Sequence, residues 1–351
     1  MQNSSYDIVQ KSQIIRGLYL GLLGREPDQN GLSHWLKVLL ESQDLDYIVN
    51  CFVNSDEYKS NIGCIVRDET TLIAQAMSVM GEISGFLDER SILIVDIGAQ
   101  NLENEEHIYS SLASSKLPNR IIGFEPLEER CQERMQKASN KNSLSLFPTF
   151  IGDGNQHIFY VNDPDATSSL FPLNQEIINQ FVDLEGLRTI RTEIANTTSL
   201  DVAIKQEEYV DFLKLDIQGA ELMVLQHALT TLTKTLVVHS EVSFFEIYKG
   251  QPLFSEVEQY MRSQGFYLID LHPQCHYPLS GNPFSKSRDW LGWADAVFFK
   301  HLDKSARWQD KLIQSLIALI IYKKLSLASW LVSDLVNTPA DQYRRCLYGE
   351  L

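Results

Sequence analysis

Basic residues are scarce: 30 Lys and Arg stand against 46 Asp and Glu in 351 residues, a formal charge of −16. Binding to nucleic-acid phosphates needs a basic face, and no dense Lys/Arg run supplies one, so nucleic acid is excluded as a partner. Cysteine is also scarce. The five thiols (Cys51, Cys64, Cys131, Cys275, Cys346) are odd in number, scattered and without a Cys-x-x-Cys pair. That excludes a disulfide framework and fits reduced thiols in a cytoplasm. The amino terminus lacks a positive region followed by an apolar stretch, so no secretory signal is expected. Long apolar runs are missing too: Leu312 to Tyr322 is about half of what a membrane span needs, and a soluble, cytoplasmic chain without a transmembrane segment is expected. Internal repeats and low-complexity segments are absent.

What is present is enough apolar residue, 44% of the chain, for one large domain and a smaller one. Residues 1–60 read as a small helical domain. Ile14, Ile15, Leu18, Leu22 and Leu23 fall at helical spacing, and Gly24 stops the helix before a turn at Arg25–Asp28. Gly31–Leu40 reads as a second helix, burying Leu32, Trp35, Leu36 and Leu39. Asp44–Tyr58 reads as a third, with Ile48, Phe52 and Val53 inside. Residues 61–90 form a helical connector with Ile73, Met77 and Met80 on one side.

From residue 91 short apolar runs alternate with longer amphipathic ones, as in a parallel α/β sheet. The runs are Ile92–Ile97, Arg120–Phe124, Leu144–Ile151, Val210–Leu215 and Thr235–Val242, with helical patterns at 104–117, 127–139, 218–230 and 253–264. Phe266–Leu271 and Ala294–Lys300 follow as an antiparallel edge hairpin, which closes a domain over 91–301. The extension 302–351 is helical over 305–337, where Leu312, Leu316, Leu319 and Ile320 make either a dimer seam or a domain cover.

Ligands of open α/β sheets bind outside the carboxyl ends of the strands, where strand order reverses. Asp96-Ile97-Gly98-Ala99 ends the first strand; Gly98 permits a tight turn and Ala99 a close approach. The loop that follows has a single glycine and carries Glu103, Glu105 and Glu106 where a pyrophosphate would sit. This disfavours a dinucleotide, and with it a nicotinamide oxidoreductase. A phosphate-free, sulfonium-bearing cofactor tolerates those acids. Glu125, after the second strand, is placed to accept hydrogen bonds from ribose hydroxyls, and Asp153, after the third, from an adenine amino group. Each acid alone also reads as a helix cap or turn residue; three in succession favour an adenosine site.

Beyond this point the sequence resembles the FkbM-type methyltransferases over about 85–301. The resemblance rests on Val95-Asp96-Ile97-Gly98-Ala99, Gly123-Phe124-Glu125-Pro126, Gly152-Asp153, Thr167-Ser168-Ser169-Leu170 and Thr198-Ser199-Leu200-Asp201. It rests most on Val210–Glu221 (Val-Asp-Phe-Leu-Lys-Leu-Asp-Ile-Gln-Gly-Ala-Glu), followed by Glu241 and Ala294–Phe299. It implies a Rossmann-like class I methyltransferase fold with a mainly parallel seven-stranded sheet and S-adenosyl-L-methionine as cofactor. Methyl transfer to a hydroxyl of a sugar, surface polysaccharide or secondary metabolite is expected. Asp96, Gly98, Ala99, Glu125, Pro126, Gly152, Asp153 and Ser169 would form the cofactor site. Two positions depart from the family pattern: a glycine is usual near Leu102, and Glu is usual where Gln218 stands. Residues 12–60 resemble a helical domain of unknown function similar to phycobilisome-linker repeats. It reads as a packing or oligomerisation module, so that contacts with a second copy or another protein through 1–60 or 305–337 are open readings.

The chemistry is expected at the ends of the fourth and fifth strands. Asp216 ends one, His239 and Glu241 end the other, and Glu221 lies on the helix after Gly219. A carboxylate or imidazole there can take the proton of an acceptor hydroxyl. Asp216 is the first candidate for base or acceptor-orienting group; its plainer reading is a helix cap. Asp216 and Glu241 can alternatively share a divalent ion such as magnesium. Lys214, two residues before Asp216 on the same strand face, neutralises that acid. His272 and His276 read as loop residues. The competing reading of the whole chain is a non-catalytic assembly protein on a degenerate methyltransferase fold, which the loop after Ala99 and Gln218 would favour.

Overall fold

The computed structural model describes residues 2–42, 44–55, 57–58, 69–79, 83, 85, 87, 90–100, 106–138, 143–284 and 287–350. Leu102 and Glu103 therefore lie outside the described residues. The chain forms two compact units, Met1–Gln75 and Ala76–Leu351.

The first unit is helical. Helices Gln2–Leu23, Gln29–Ser42 and Leu45–Val53 enclose Ile15, Tyr19, Leu23, Leu39, Ile48 and Phe52, with Trp35 against them. Gly24 ends the first helix at φ +66°, a conformation that costs glycine little. Asp44 caps the third by accepting the N–H of Tyr47. Ile14 faces outward at 41% exposure, contrary to the expected inner face, because Ile15, Leu18, Tyr19 and Leu22 already fill that stripe. In the connector the helix Glu69–Ser78 turns Met77 outward while Ala76 is buried.

The second unit is built on a seven-stranded sheet. Its strands are β1 (Ile92–Ile97), β2 (Asn119–Phe124), β3 (Leu144–Phe147), β7 (Val210–Leu215), β8 (Thr235–Ser243), β9 (Phe266–Tyr277) and β10 (Trp290–Lys300), in the order β3-β2-β1-β7-β8-β10-β9. The first five are parallel neighbours; β10 runs antiparallel to both β8 and β9. All six residues of β1 and of β7 are buried, so their sequences read as apolar runs interrupted by the buried charges Asp96, Asp211 and Lys214. The chain leaves β1 in one direction and returns to its other side at β7, so the switch in strand order lies between Gly98 and Asp216.

The expected strand 144–151 is two strands. Pro148 has no N–H to continue the ladder. β3 stays in the main sheet, and β4 (Phe150–Ile151) joins a second sheet with β5 (Gln156–Asp163) and β6 (Arg188–Thr198), in the order β4-β6-β5. Only Phe159, Val161 and Ala195 of β5 and β6 join its small apolar cluster, so both strands escaped the sequence pattern.

The helices are shorter than their patterns. Of 104–117 only Ser110–Ala113 is helical among the described residues, and 218–230 breaks at His227 into Glu221–Gln226 and Leu229–Thr233. Helix Trp308–Ile320 is buried from Lys311 to Ile320. Its Gln314 side chain donates to the Leu236 and Lys300 carbonyls at 3.0 and 2.9 Å. This helix covers the domain: Leu312, Leu316, Leu319 and Ile320 are buried within the unit and so do not form a dimer seam.

Candidate active site

A crevice of about 630 Å³ opens at the carboxyl ends of the strands, large enough for a cofactor and part of an acceptor. Its floor is Gly98, at φ +79°, where a Cβ would meet the Asp216 carbonyl oxygen at 1.9 Å. The Asp216 N–H donates to the Ile97 carbonyl at 3.1 Å, so the ends of β1 and β7 are tied together at the switch point.

Behind this floor lies a buried ion cluster. Asp96 is fully buried and accepts Arg134 Nη1 at 2.8 Å and the Tyr109 hydroxyl, with Lys214 Nζ at 3.6 Å. Burial alone would raise its pKa, but Lys214 and Arg134 outweigh burial and hold it at about 2. Arg134 also donates to the Ala99 carbonyl at 2.6 Å. Asp96 and Ala99 are therefore not part of the crevice lining; they fix the loop that forms it. His107, which does line it, is held by burial at about 4 and is neutral.

Glu125 and Pro126 line the crevice after β2. One Glu125 oxygen accepts the Leu127 N–H at 3.0 Å, which leaves the other for a ligand. Burial pushes its pKa up to about 7. Asp153 is elsewhere. Its carboxylate is consumed by a turn, accepting the Asn155 N–H and side-chain amide at 2.9 Å each, with His157 Nε2 at 2.8 Å. Gly152 beside it makes room for Thr197, which a Cβ would meet at 2.7 Å. Neither residue reaches the crevice, where Thr149 and Phe150 stand instead. The expected adenine contact of Asp153 is corrected accordingly: the strand preceding it belongs to the second sheet.

At the ends of β7 and β8 the structure brings Asp216 and Glu241 together through Gln218, which the sequence marked only as a departure from the family pattern. Gln218 Nε2 donates to Asp216 Oδ1 at 3.2 Å and lies 3.4 Å from Glu241 Oε2. Its Oε1 accepts the Tyr248 hydroxyl at 2.9 Å. Gln218 is held at φ +56°, and its carbonyl accepts Ser169 Oγ at 2.6 Å. Ser169 thus anchors this loop from outside the lining. Glu221 does the same from below, with Oε1 accepting the N–H groups of Ile217 and Gly219 at 2.9 and 3.2 Å. The buried Glu221 braces the loop and is not positioned to meet an acceptor.

Lys214 Nζ, buried between two acids, sits 3.2 Å from Asp216 and 3.6 Å from Asp96. Burial would lower its pKa, but Asp216 and Asp96 more than reverse that and keep it charged. Glu241 has the opposite balance: burial, then the charges of Asp216 and Glu221, raise its pKa well above the usual carboxylate range. His239 lines the crevice with Nε2 3.2 Å from Asp295 Oδ2 and Nδ1 3.1 Å from the Tyr322 hydroxyl. The far wall is Tyr248, Tyr277 and Trp293, whose Nε1 donates to the Tyr277 hydroxyl at 3.0 Å. Among the described residues no group of three or more His, Cys, Asp or Glu side chains is arranged to hold a metal ion.

This strand order, with its switch-point crevice and single antiparallel strand β10, is that of a Rossmann-like class I methyltransferase. The sequence comparison agrees. Residues 96–268 match the methyltransferase FkbM domain. The FkbM-type domain is a methyltransferase domain dependent on S-adenosylmethionine. The 2-O-methyltransferase NoeI of Sinorhizobium fredii is 26% identical over 188 residues, 50% of this chain and 73% of that protein. Among solved structures, magnesium protoporphyrin IX methyltransferase from Synechocystis aligns at 9% identity, TM-score 0.32, covering 74% of this chain and 98% of that one. A methyltransferase homologue from Pyrococcus horikoshii aligns at 13% identity, TM-score 0.32, covering 65% and 67%. Residues 2–62 match a domain of unknown function, DUF4214, and this match carries no link to phycobilisomes. No helix among the described residues is long and apolar enough to cross a membrane.

Proposed function

We propose that the protein methylates a hydroxyl oxygen of a carbohydrate acceptor, with Asp216 as the base. The carrying observation is that Asp216 and Glu241, on adjacent strand ends, approach one amide, Gln218 Nε2, within 3.2 and 3.4 Å, in the crevice floored by Gly98. The cradle suits S-adenosylmethionine: Gly98 has no space for a side chain, and Glu125 keeps a carboxylate oxygen for the ribose. Thr149 and Phe150 would flank the adenine. When bound, the cofactor supplies an electrophilic methyl group on a sulfonium.

Asp216, paired with Lys214, takes the acceptor proton as the oxygen–methyl bond forms. Glu241 orients the acceptor; His239, with its two ring nitrogens on Asp295 and the Tyr322 hydroxyl, fixes the wall beside it; and Tyr248, Tyr277 and Trp293 offer aromatic faces to the C–H face of a sugar ring. Positioning of two groups in line supplies much of the rate. The name of the 2-O-methyltransferase relative supports a hydroxyl as the target.

The test is Asp216→Asn, assayed with labelled S-adenosylmethionine against a panel of oligosaccharides. Turnover is expected to fall by about 10²–10⁴-fold, the usual worth of a general base. Affinity for S-adenosylhomocysteine is expected to stay near wild type. Loss of both together would move Asp216 into the cofactor site and overturn its assignment as base.

A further inference from the structure

The second sheet of the larger unit leaves a backbone edge open. β4 meets β6 only at Thr197 and Thr198, so among the described residues no strand lies beside Arg188–Asn196 on that side. The Thr197 N–H donates to Asn155 toward β5, whereas the Thr198 carbonyl accepts the Gly152 N–H on the opposite side. By the alternation of an antiparallel ladder, Thr192, Ile194 and Asn196 then turn their N–H and C=O groups outward. An irregularity opposite Asn162 ends this regular stretch at Ile190. Ile190 and Ile194 are 55% and 62% exposed, and Ile158, paired with Ile194 across the sheet, is 48% exposed. The edge strand β9 of the main sheet differs: it carries Pro273, which cannot donate to an added strand. The β6 edge carries neither Pro nor Lys.

We infer that β6 is a pairing edge for a second copy of this chain, joined antiparallel about a two-fold axis at Thr192. The charge order selects that register. With Thr192 opposite Thr192 of the partner subunit, every Arg191 faces a Glu193 across the axis, and Ile190 adjoins the second Ile194. Shifting the axis to residue 191 sets Arg against Arg; shifting it to 193 sets Glu against Glu. Like charges directly opposite disfavour a pair, and opposite charges favour it. A two-fold interface is self-complementary by construction, and Ile190-Arg191-Thr192-Glu193-Ile194 has that symmetry of character. Backbone pairing on an exposed edge is an established mode of recognition. In the separate chain Arg191 and Glu193 contact each other at 2.6 Å while 56% and 43% exposed, so both are available to a partner.

Sedimentation velocity of the full chain tests this. Wild type is expected to rise with concentration from 40.1 kDa toward twice that mass. Arg191→Glu and Glu193→Arg are each expected to stay monomeric, because each sets like charges opposite one another. Mixing the two variants in equal amounts is expected to restore the dimer, since all four facing positions then become Glu–Arg pairs. That rescue also shows that both variants are folded. Thr192→Pro, which removes an outward N–H, is expected to be monomeric with an unchanged melting temperature. A wild-type chain that stays monomeric, a dimer that survives both single reversals, or a mixture that stays monomeric would each overturn the inference.

Discussion

Glu125 and Asp153 stand in similar sequence positions, each an acid just past an apolar run, yet only Glu125 faces the crevice. The difference is what consumes the carboxylate. Asp153 is saturated by Asn155, His157 and Thr197, whereas Glu125 accepts one backbone N–H and is left buried with its pKa near 7. A group so placed binds ribose hydroxyls more strongly in its ionised form. Affinity for S-adenosylhomocysteine should therefore improve as pH rises through about 7 and level off above it. His107, held at about 4, does not titrate in that window. Glu125→Gln should bind more weakly by about 1.5–3 kcal/mol, the worth of a hydrogen bond to a charged group, and should lose the pH dependence. Calorimetric titrations at several pH values check both; a wild-type affinity that is flat across pH 6–8 would remove Glu125 from the ribose site.

At the scale of elements, burial on both faces decided what the sequence revealed. β1, β7 and β8 are buried almost throughout, so each carries an apolar run (Ile92–Val95, Phe212–Leu213, Leu236–Val238) long enough to be legible as a strand, with the charged residues of the site interrupting it. The cover helix Trp308–Ile320 belongs to the same core, and Leu316 within it is fully buried. Leu316→Ala should cost about 2–5 kcal/mol, the range for large-to-small core changes, while Trp330→Ala, at a site 65% exposed, should change little. Denaturant unfolding of the two variants compares them directly. Equal, small losses would mean that the helix is not integral to the core. β5 and β6 were not legible, because most residues of β6 face solvent and resemble a polar loop. The acids of the site were legible because parallel strands put their carboxyl ends on one side. The bridge through Gln218 was not, since it depends on Tyr248 thirty positions away and on a left-handed backbone that sequence spacing does not encode.

At the scale of the whole molecule, the division at Gln75 gives the α/β unit a core of its own, so residues 76–351 should fold and bind S-adenosylhomocysteine without the helical unit. Aggregation of that fragment would argue against independence. The buried acids of this unit also set how its stability responds to pH. Burial raises Glu125 and Glu221 to about 7, Asp211 to about 6 and Glu241 well upward too, from ordinary values of 4.5, 4.5, 3.8 and 4.5. Between those limits the folded state holds protons that the unfolded state has released, so stability falls as pH rises. Asp96 acts oppositely, but its pKa of about 2 confines the effect to pH below about 4. His107, at about 4 instead of 6.5, favours folding as pH rises between those values and offsets one of these four acids. The net expectation is that stability, and the melting temperature with it, declines from about pH 5 to 7, by on the order of 1.4 kcal/mol of unfolding free energy per pH unit for each net proton the folded state retains. Saturating S-adenosylhomocysteine should flatten that decline, because ribose donors stabilise ionised Glu125 and return its pKa toward the ordinary range. Thermal melts at half-unit pH steps, with and without ligand, measure both slopes. A melting temperature that rises between pH 5 and 7 would show that these acids are solvated in the folded protein, and with that the closed, desolvated crevice on which the Glu125 and Glu241 assignments rest would be lost.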